Sequence, residues 1–266
     1  MNITLMNIKG KKNEVYKTDY YISKYIKTRH HAKDLFRSEK YFLPRILEKN
    51  MKILDVGCAC GGFYNILKSF ENSISYTGID ISKDLIEQAS ELYPEGNFNY
   101  YNPRKYDFTL NTYDLVQSWG VMLHEPNYKI LIQNLWKSVK KTFVFDIRGQ
   151  MHTAEIIDKN KSFVLNPGGI KNYYIINNLI NFIYFICSLN PSPSSIEIFG
   201  YLGKPNIYTN IPDEVKDVYM CSIKIDKNPS LKNKKQIILN LPKEISIKIQ
   251  RDLLIKNNLS FDIVLI

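Results

Sequence analysis

The residues best placed to do chemistry lie in one short run, Ile53-Leu54-Asp55-Val56-Gly57-Cys58-Ala59-Cys60-Gly61-Gly62-Phe63. An apolar stretch ends at an acid, and a turn of small residues opens a helix. Small side chains let a ligand come close to the backbone, and glycine reaches dihedrals that other residues avoid. The helix start then offers N–H groups and a positive dipole end to an electron-rich ligand group. A second acid, Asp80, stands 23 residues after Gly57. A carboxylate at that distance, at the tip of the second strand, accepts hydrogen bonds from ribose hydroxyls and disfavours a 2′-phosphate.

The elements that must hold these groups alternate. Residues 52–56, 75–81, 97–101, 113–119 and 142–147 read as strands. Helices are expected over 62–70, from Ser82 to about Leu92, and over 128–139. Ser82 suits the N-cap, with Asp84 and Glu87 in the first turns. This alternation predicts an α/β fold with a parallel, doubly wound sheet. Residues 13–50 read as helical, with Pro44 as a site of kinking or restart. Residues 170–189 read as one long apolar helix, ended by Pro191 and Pro193. Ser195–Phe199 and Val218–Lys224 are spaced to form an antiparallel pair, and 236–241 reads as a strand. From Leu241 to Asn258 both helix and strand periods fit.

The motif residues resemble the class I S-adenosylmethionine-dependent methyltransferase family. LDVGCACGG is similar to its first motif, an acid, any residue and then Gly-x-Gly-x-Gly, with Ala59 where the middle glycine usually stands. Asp80 matches the second motif. Asn102 takes the place where the family often has Asp near the adenine. Tyr113–Trp119 followed by Leu123-His124 resembles the fourth-strand motif. The resemblance covers about residues 40–150. It implies a Rossmann-like, mostly parallel seven-stranded sheet with an antiparallel last strand, the antiparallel pair supplying strands six and seven. It divides the chain into an N-terminal helical cap (1–50), a cofactor-binding methyltransferase domain (51–227) and a C-terminal extension (228–266).

The resemblance implies that Asp55 and the backbone of Gly57, Cys58, Ala59 and Gly61 hold the methionine part of the cofactor. Asp80 and Ile81 would hold the ribose end and Asn102 the adenine region, with Ser118 and Trp119 lining the methyl-transfer pocket. The product would be S-adenosylhomocysteine. A nicotinamide dinucleotide fits less well. Its loop is Gly-x-Gly-x-x-Gly, and Asp55 suits a cationic amino group while repelling a pyrophosphate.

His124 follows the fourth strand at the edge where open sheets bind ligands. It is the candidate general base, since imidazole titrates near neutrality. Arg148 ends the fifth strand and can pair with a carboxylate or phosphate. Tyr16, Tyr20, Tyr25 and Arg29 are candidates for a lid, with Tyr20 placed against substrate. Tyr201, Lys204 and Tyr208 precede the last strand, and Tyr201 and Lys204 are assigned to the acceptor. Cys58-x-Cys60 and His30-His31 lack zinc-site spacing, and Asp146 is the nearest candidate for a magnesium ligand, so no metal is assigned.

The 266 residues include 36 Lys and Arg against 26 Asp and Glu, a net charge of +10. The lysines are spread along the chain rather than clustered, which favours a small-molecule or sugar-type acceptor over RNA, the alternative acceptor. A non-catalytic cofactor-binding subunit is the other alternative. Hydrophobic residues at 44% exclude a wholly disordered chain. The apolar run Leu179–Leu189 is too short to span a bilayer. Four cysteines are too few for a disulfide framework, and a reducing cytoplasmic setting is expected.

Overall fold

The computed structural model describes residues 23, 25–26, 28–101, 108, 112–166, 169–227, 235–255 and 260–266. Five parallel strands carry the first half: β1 (Lys52–Val56), β2 (Ser75–Asp80), β3 (Asn97–Tyr100), β4 (Tyr113–Ser118) and β5 (Val139–Gln150). After them come β9 (Ser195–Leu202) and β11 (Tyr219–Asp226), then β12 (Gln236–Asn240) and β13 (Asp262–Leu265). The sheet order is β13-β12-β9-β11-β5-β4-β1-β2-β3. β11 is antiparallel to both neighbours, β5 and β9, while β12 is parallel to β9 and β13 to β12. The expected seven strands are therefore present, with the antiparallel strand among them. The C-terminal residues lengthen the same sheet by two more.

Alternate residues of each strand enter different layers, as the strand period requires. Leu54, Val116, Phe143 and Phe145 face one core with α4 (Tyr128–Ser138), α5 (Leu179–Cys187) and α6 (Lys243–Ile255). Ile53, Leu115, Val144 and Phe199 face the other, packed by α1 (Arg37–Ile46) and α2 (Gly62–Phe70). α3 (Lys83–Leu92) starts as expected at Ser82, whose hydroxyl accepts from Leu85 N at 3.4 Å.

One expectation needs correction. Residues 170–189 are not one helix. β7 (Lys171–Tyr173) and β8 (Asn177–Asn178) come first, and α5 begins only at Leu179. Tyr174–Ile176 bond to other segments, Ile175 N to Leu123 O and Ile176 N to Ile156 O, and the Asn178 side chain caps α5 through Asn181 N. Aromatic and β-branched residues there found partner strands, which outweighed the apolar run. The helical reading of 13–50 survives, within the described residues, as helical backbone at Ser23, Tyr25 and Ile26, a turn at Ala32–Asp34, and α1, which contains Pro44 and runs on to Ile46. A small sheet, β10 (Thr209–Asn210), β6 (Phe163–Leu165) and β7, stands beside the main one.

The C-terminal helix belongs to the main core, because Ile245, Ile249 and Leu253 pack in the same cluster as β5 and β9. Ile249 is fully buried. Ile249→Ala should cost about 2–4 kcal/mol and lower Tm by about 4–16 °C in thermal unfolding; an unchanged Tm would show that this helix is not part of the folded core.

Candidate functional site

The loop after β1 is built on left-handed backbone. Gly57 has φ +81°, Ala59 +47° and Gly61 +76°. A Cβ on Gly57 would lie 2.3 Å from Val121 Cγ2, so this position admits nothing larger. Ala59 stands where the middle glycine is usual and adopts a conformation that strains an alanine. Gly61 turns the chain into α2. Cys58 and Cys60 are buried, with Cys58 packed over Gly78. Burial raises both thiols, Cys60 to about 12, so neither is a thiolate at neutral pH. Among the described residues no group of three His, Cys, Asp or Glu side chains could hold a metal.

Asp80 closes β2 beneath this loop. Its Oδ2 accepts Ala59 N at 3.0 Å and its Oδ1 accepts Ser82 N at 2.9 Å. The Ile79 carbonyl accepts both Gly57 N and Cys58 N. Burial holds the Asp80 carboxyl above its usual range, against the hydrogen bonds that lower it. Ile81 follows, half-buried against the larger core.

Asp55 is 1% exposed and accepts the Tyr76 hydroxyl at 2.6 Å. Desolvation pushes its carboxyl up to about 6, although Tyr76, Gln117 and Arg29 all lower it. Gln117 Oε1 accepts the Trp119 indole N–H at 3.3 Å, and its amide side chain is also the hydrogen-bonding group that lowers Asp55. Trp119 is buried and stacks on Phe63 with centroids 6.4 Å apart. Ser118 is wholly buried, and its hydroxyl donates to Val56 O at 3.1 Å. This bond ties β4 to β1.

One segment that sequence reasoning placed only in a lid lies directly on the loop. Arg29, at φ +63°, sets its carbonyl against Gly62, and Asn65 Nδ2 donates to His30 O at 2.6 Å. The Arg29 guanidinium pairs with buried Glu39 and lies 4.8 Å from the ring centroids of both Phe36 and Phe63. Its Nε is buried without a partner among the described residues. Its charge also reaches Asp55. The signal that could have found it is Arg29 preceding His30 in a polar stretch just before the first apolar helix, which is too weak to act on alone. Tyr20 and Asn102 lie outside the described residues.

The other side of the edge holds the acceptor candidates. His124 Nδ1 lies 2.5 Å from Tyr173 O. A carbonyl only accepts, so in the neutral ring Nδ1 carries the hydrogen and Nε2 is the basic atom. Asp146 Oδ1 accepts Gly120 N at 2.6 Å, and Oδ2 accepts Arg148 Nη1 at 2.8 Å. Arg148, Met220 and Tyr201 are aligned across β5, β11 and β9. Lys204 is exposed, just past the end of β9.

The cradle of left-handed residues, the acid beneath it and the acid at the tip of β2 are the geometry of a nucleoside-binding edge. A family model described as a methyltransferase domain matches residues 53–142. This part of the chain is a class I S-adenosylmethionine-dependent methyltransferase domain. The chain is 28% identical over 138 residues to the 235L protein of Invertebrate iridescent virus 6, assigned as a methyltransferase, covering 49% of this chain and 48% of that one. It is 28% identical over 131 residues to a sterol 24-C-methyltransferase of Gibberella zeae, covering 47% of this chain and 34% of that one. The alignments span about half or less of these relatives.

Solved structures carry the same fold. The phosphoethanolamine N-methyltransferase 2 of Haemonchus contortus superposes with a TM-score of 0.58 at 13% identity, covering 81% of this chain and 60% of that one. The magnesium protoporphyrin IX methyltransferase of Synechocystis gives 0.50 at 14%, covering 86% and 100%.

Two consequences can be measured. The folded domain keeps the Asp55 proton to higher pH than the unfolded chain, so this site's stability is full near pH 4 and is lost as pH rises through about 6. Asp55→Asn should remove that slope and raise ligand-free stability at pH 7.5 by about 2–3 kcal/mol in urea unfolding; a destabilised variant at that pH would contradict a strained carboxylate. Ala59→Gly should raise stability by about 1 kcal/mol, since it relieves a left-handed alanine.

Proposed function

We propose that this protein binds S-adenosylmethionine in the β1–β2 cradle and transfers its methyl group to an oxygen or nitrogen of a small-molecule acceptor. The observation that carries the reading is Asp80. Its carboxylate is fixed by Ala59 N and Ser82 N at the tip of β2, with Ile81 N beside them, and acceptor capacity remains for a ribose hydroxyl.

The remaining groups fit the rest of the ligand. Asp55, desolvated and drawn toward neutrality, gains most from a cationic amino group. The buried Nε of Arg29 suits the methionine carboxylate. Ile81 offers an apolar wall to the adenine, with Asn102 as the adenine-edge residue the sequence motif supplies. When bound, the sulfonium supplies an activated methyl carbon, so that carbon's bond to the acceptor atom forms as its bond to sulfur breaks. The chain's task is alignment and exclusion of water, supplied by Trp119, Phe63 and the Val121 wall against Gly57. His124 Nε2 takes the proton that the acceptor atom gives up.

Titration calorimetry with S-adenosylhomocysteine, beside NAD, tests the reading. Binding of the homocysteine compound with a micromolar Kd, weakened about ten-fold or more by Asp80→Asn, is the expected result. No binding, or a preference for NAD, would overturn it.

A further inference from the structure

A site that reads both charges of an amino acid must keep its own two charges apart. The cofactor reading gives Asp55 the ammonium group and Arg29 the carboxylate. An acid and an arginine within reach of each other in a poorly solvated place pair together, and the pair then cancels what the ligand would meet. Asp55 feels the Arg29 charge, yet among the described residues the two form no ion pair.

The restraint comes from α1. Glu39, in its first turn, is 2% exposed. Its Oε1 takes the Arg29 guanidinium, and its Oε2 accepts Phe36 N at 2.7 Å. The same guanidinium lies 4.8 Å from the ring centroids of Phe36 and Phe63. Phe63 stacks on Trp119, the Trp119 indole N–H reaches Gln117, and Gln117 bonds Asp55. Arg29 therefore stands on the aromatic wall beside Asp55 with its bonded partner in α1 rather than in β1.

The backbone is fixed as well. Arg29 has φ +63°, its carbonyl lies against Gly62, and the carbonyl of His30 accepts Asn65 Nδ2 at 2.6 Å. A left-handed arginine persists only where its surroundings over-determine it. Burial raises the Glu39 carboxyl, against the Arg29 charge and the Phe36 N–H that lower it. A first-turn acid caps a helix equally well when exposed, so capping does not account for a desolvated acid at this position.

We propose that Glu39 is a positioning residue: by holding the Arg29 guanidinium it keeps Asp55 free for the ammonium group of the methionine part and presents Arg29 to the carboxylate. Without the Glu39 charge, Arg29 turns to Asp55, and the two charges that face the ligand cancel. The name of the ligand rests on the methyltransferase reading; the competition between Glu39 and Asp55 for Arg29 does not.

Glu39→Gln is the test, because the amide oxygen still accepts Phe36 N while the charge is gone. Asp55 is followed by the ¹³C shift of its carboxyl carbon in the labelled, ligand-free full chain. In this variant it should titrate at lower pH than in the wild type, since Arg29 now pairs with it. Calorimetry compares S-adenosylhomocysteine with 5′-methylthioadenosine, which lacks the amino and carboxyl groups. Glu39→Gln should weaken the first about ten-fold and leave the second unchanged. Arg29→Gln is the independent arm should Glu39→Gln fail to fold. Asp55 should then titrate at higher pH than in the wild type, and again only S-adenosylhomocysteine should bind more weakly. An Asp55 titration that either variant leaves in place or moves the other way, or equal weakening of both ligands, overturns the proposal. If neither ligand binds the wild type, the cofactor reading falls, and the Asp55 titrations still decide whether Glu39 and Asp55 compete for Arg29.

Discussion

The carboxylate of Asp80 is the point on which the site depends. One oxygen holds Ala59 N and the other holds Ser82 N, so one side chain joins the cofactor loop to the start of α3. The preceding carbonyl, on Ile79, takes Gly57 N and Cys58 N. The parallel register brings Val56 beside Ile79, which puts the loop within reach of both groups. Four backbone N–H groups of two elements thus end on two residues. The three left-handed residues of the loop are tolerable because this bonding over-determines their conformation.

Four buried acids differ in how they are paired. Glu39 is buried, yet it is paired with Arg29 and accepts Phe36 N at 2.7 Å. Glu197 is buried in β9, yet it meets the Tyr41 hydroxyl at 2.8 Å, Arg45 at 3.1 Å and Lys224 at 3.8 Å. Among the described residues Asp55 and Asp80 make no ion pair, and burial raises both carboxyls, although the Arg29 charge lowers Asp55. Two desolvated acids held at one sheet edge without an ion pair cost stability there. A ligand that brings a cation to one and hydroxyls to the other offsets that loss, so the acids favour occupancy.

What was legible in the sequence follows from range. The glycine-rich turn, Asp80 and the strand–helix alternation are local, and each left a local mark: small residues, an acid at a fixed distance, a change of apolar period. The β9–β11 pairing was also visible, because two short apolar strands flank one loop. The run 170–189 was misread because continuous apolarity does not distinguish buried strand from buried helix; the decision lay with Leu123 and Ile156, far off in sequence. The ambiguous stretch after Leu241 became α6, because Ile245, Ile249 and Leu253 lie on one side of a helix that covers the lengthened sheet.

Asp146 connects the two halves of the site. One oxygen fixes Gly120 N, in the turn whose neighbour Val121 closes over Gly57. The other fixes Arg148, at the acceptor edge. Methyl transfer from a sulfonium depends mainly on holding two reacting atoms in line, and a displacement of an ångström is costly. A single carboxylate bonded to both the Gly120 turn and Arg148 sets their spacing with two short bonds rather than through a chain of packed side chains. In the proposed reading, the acid that looked like a candidate metal ligand in the sequence is the brace between the cofactor side and the acceptor side.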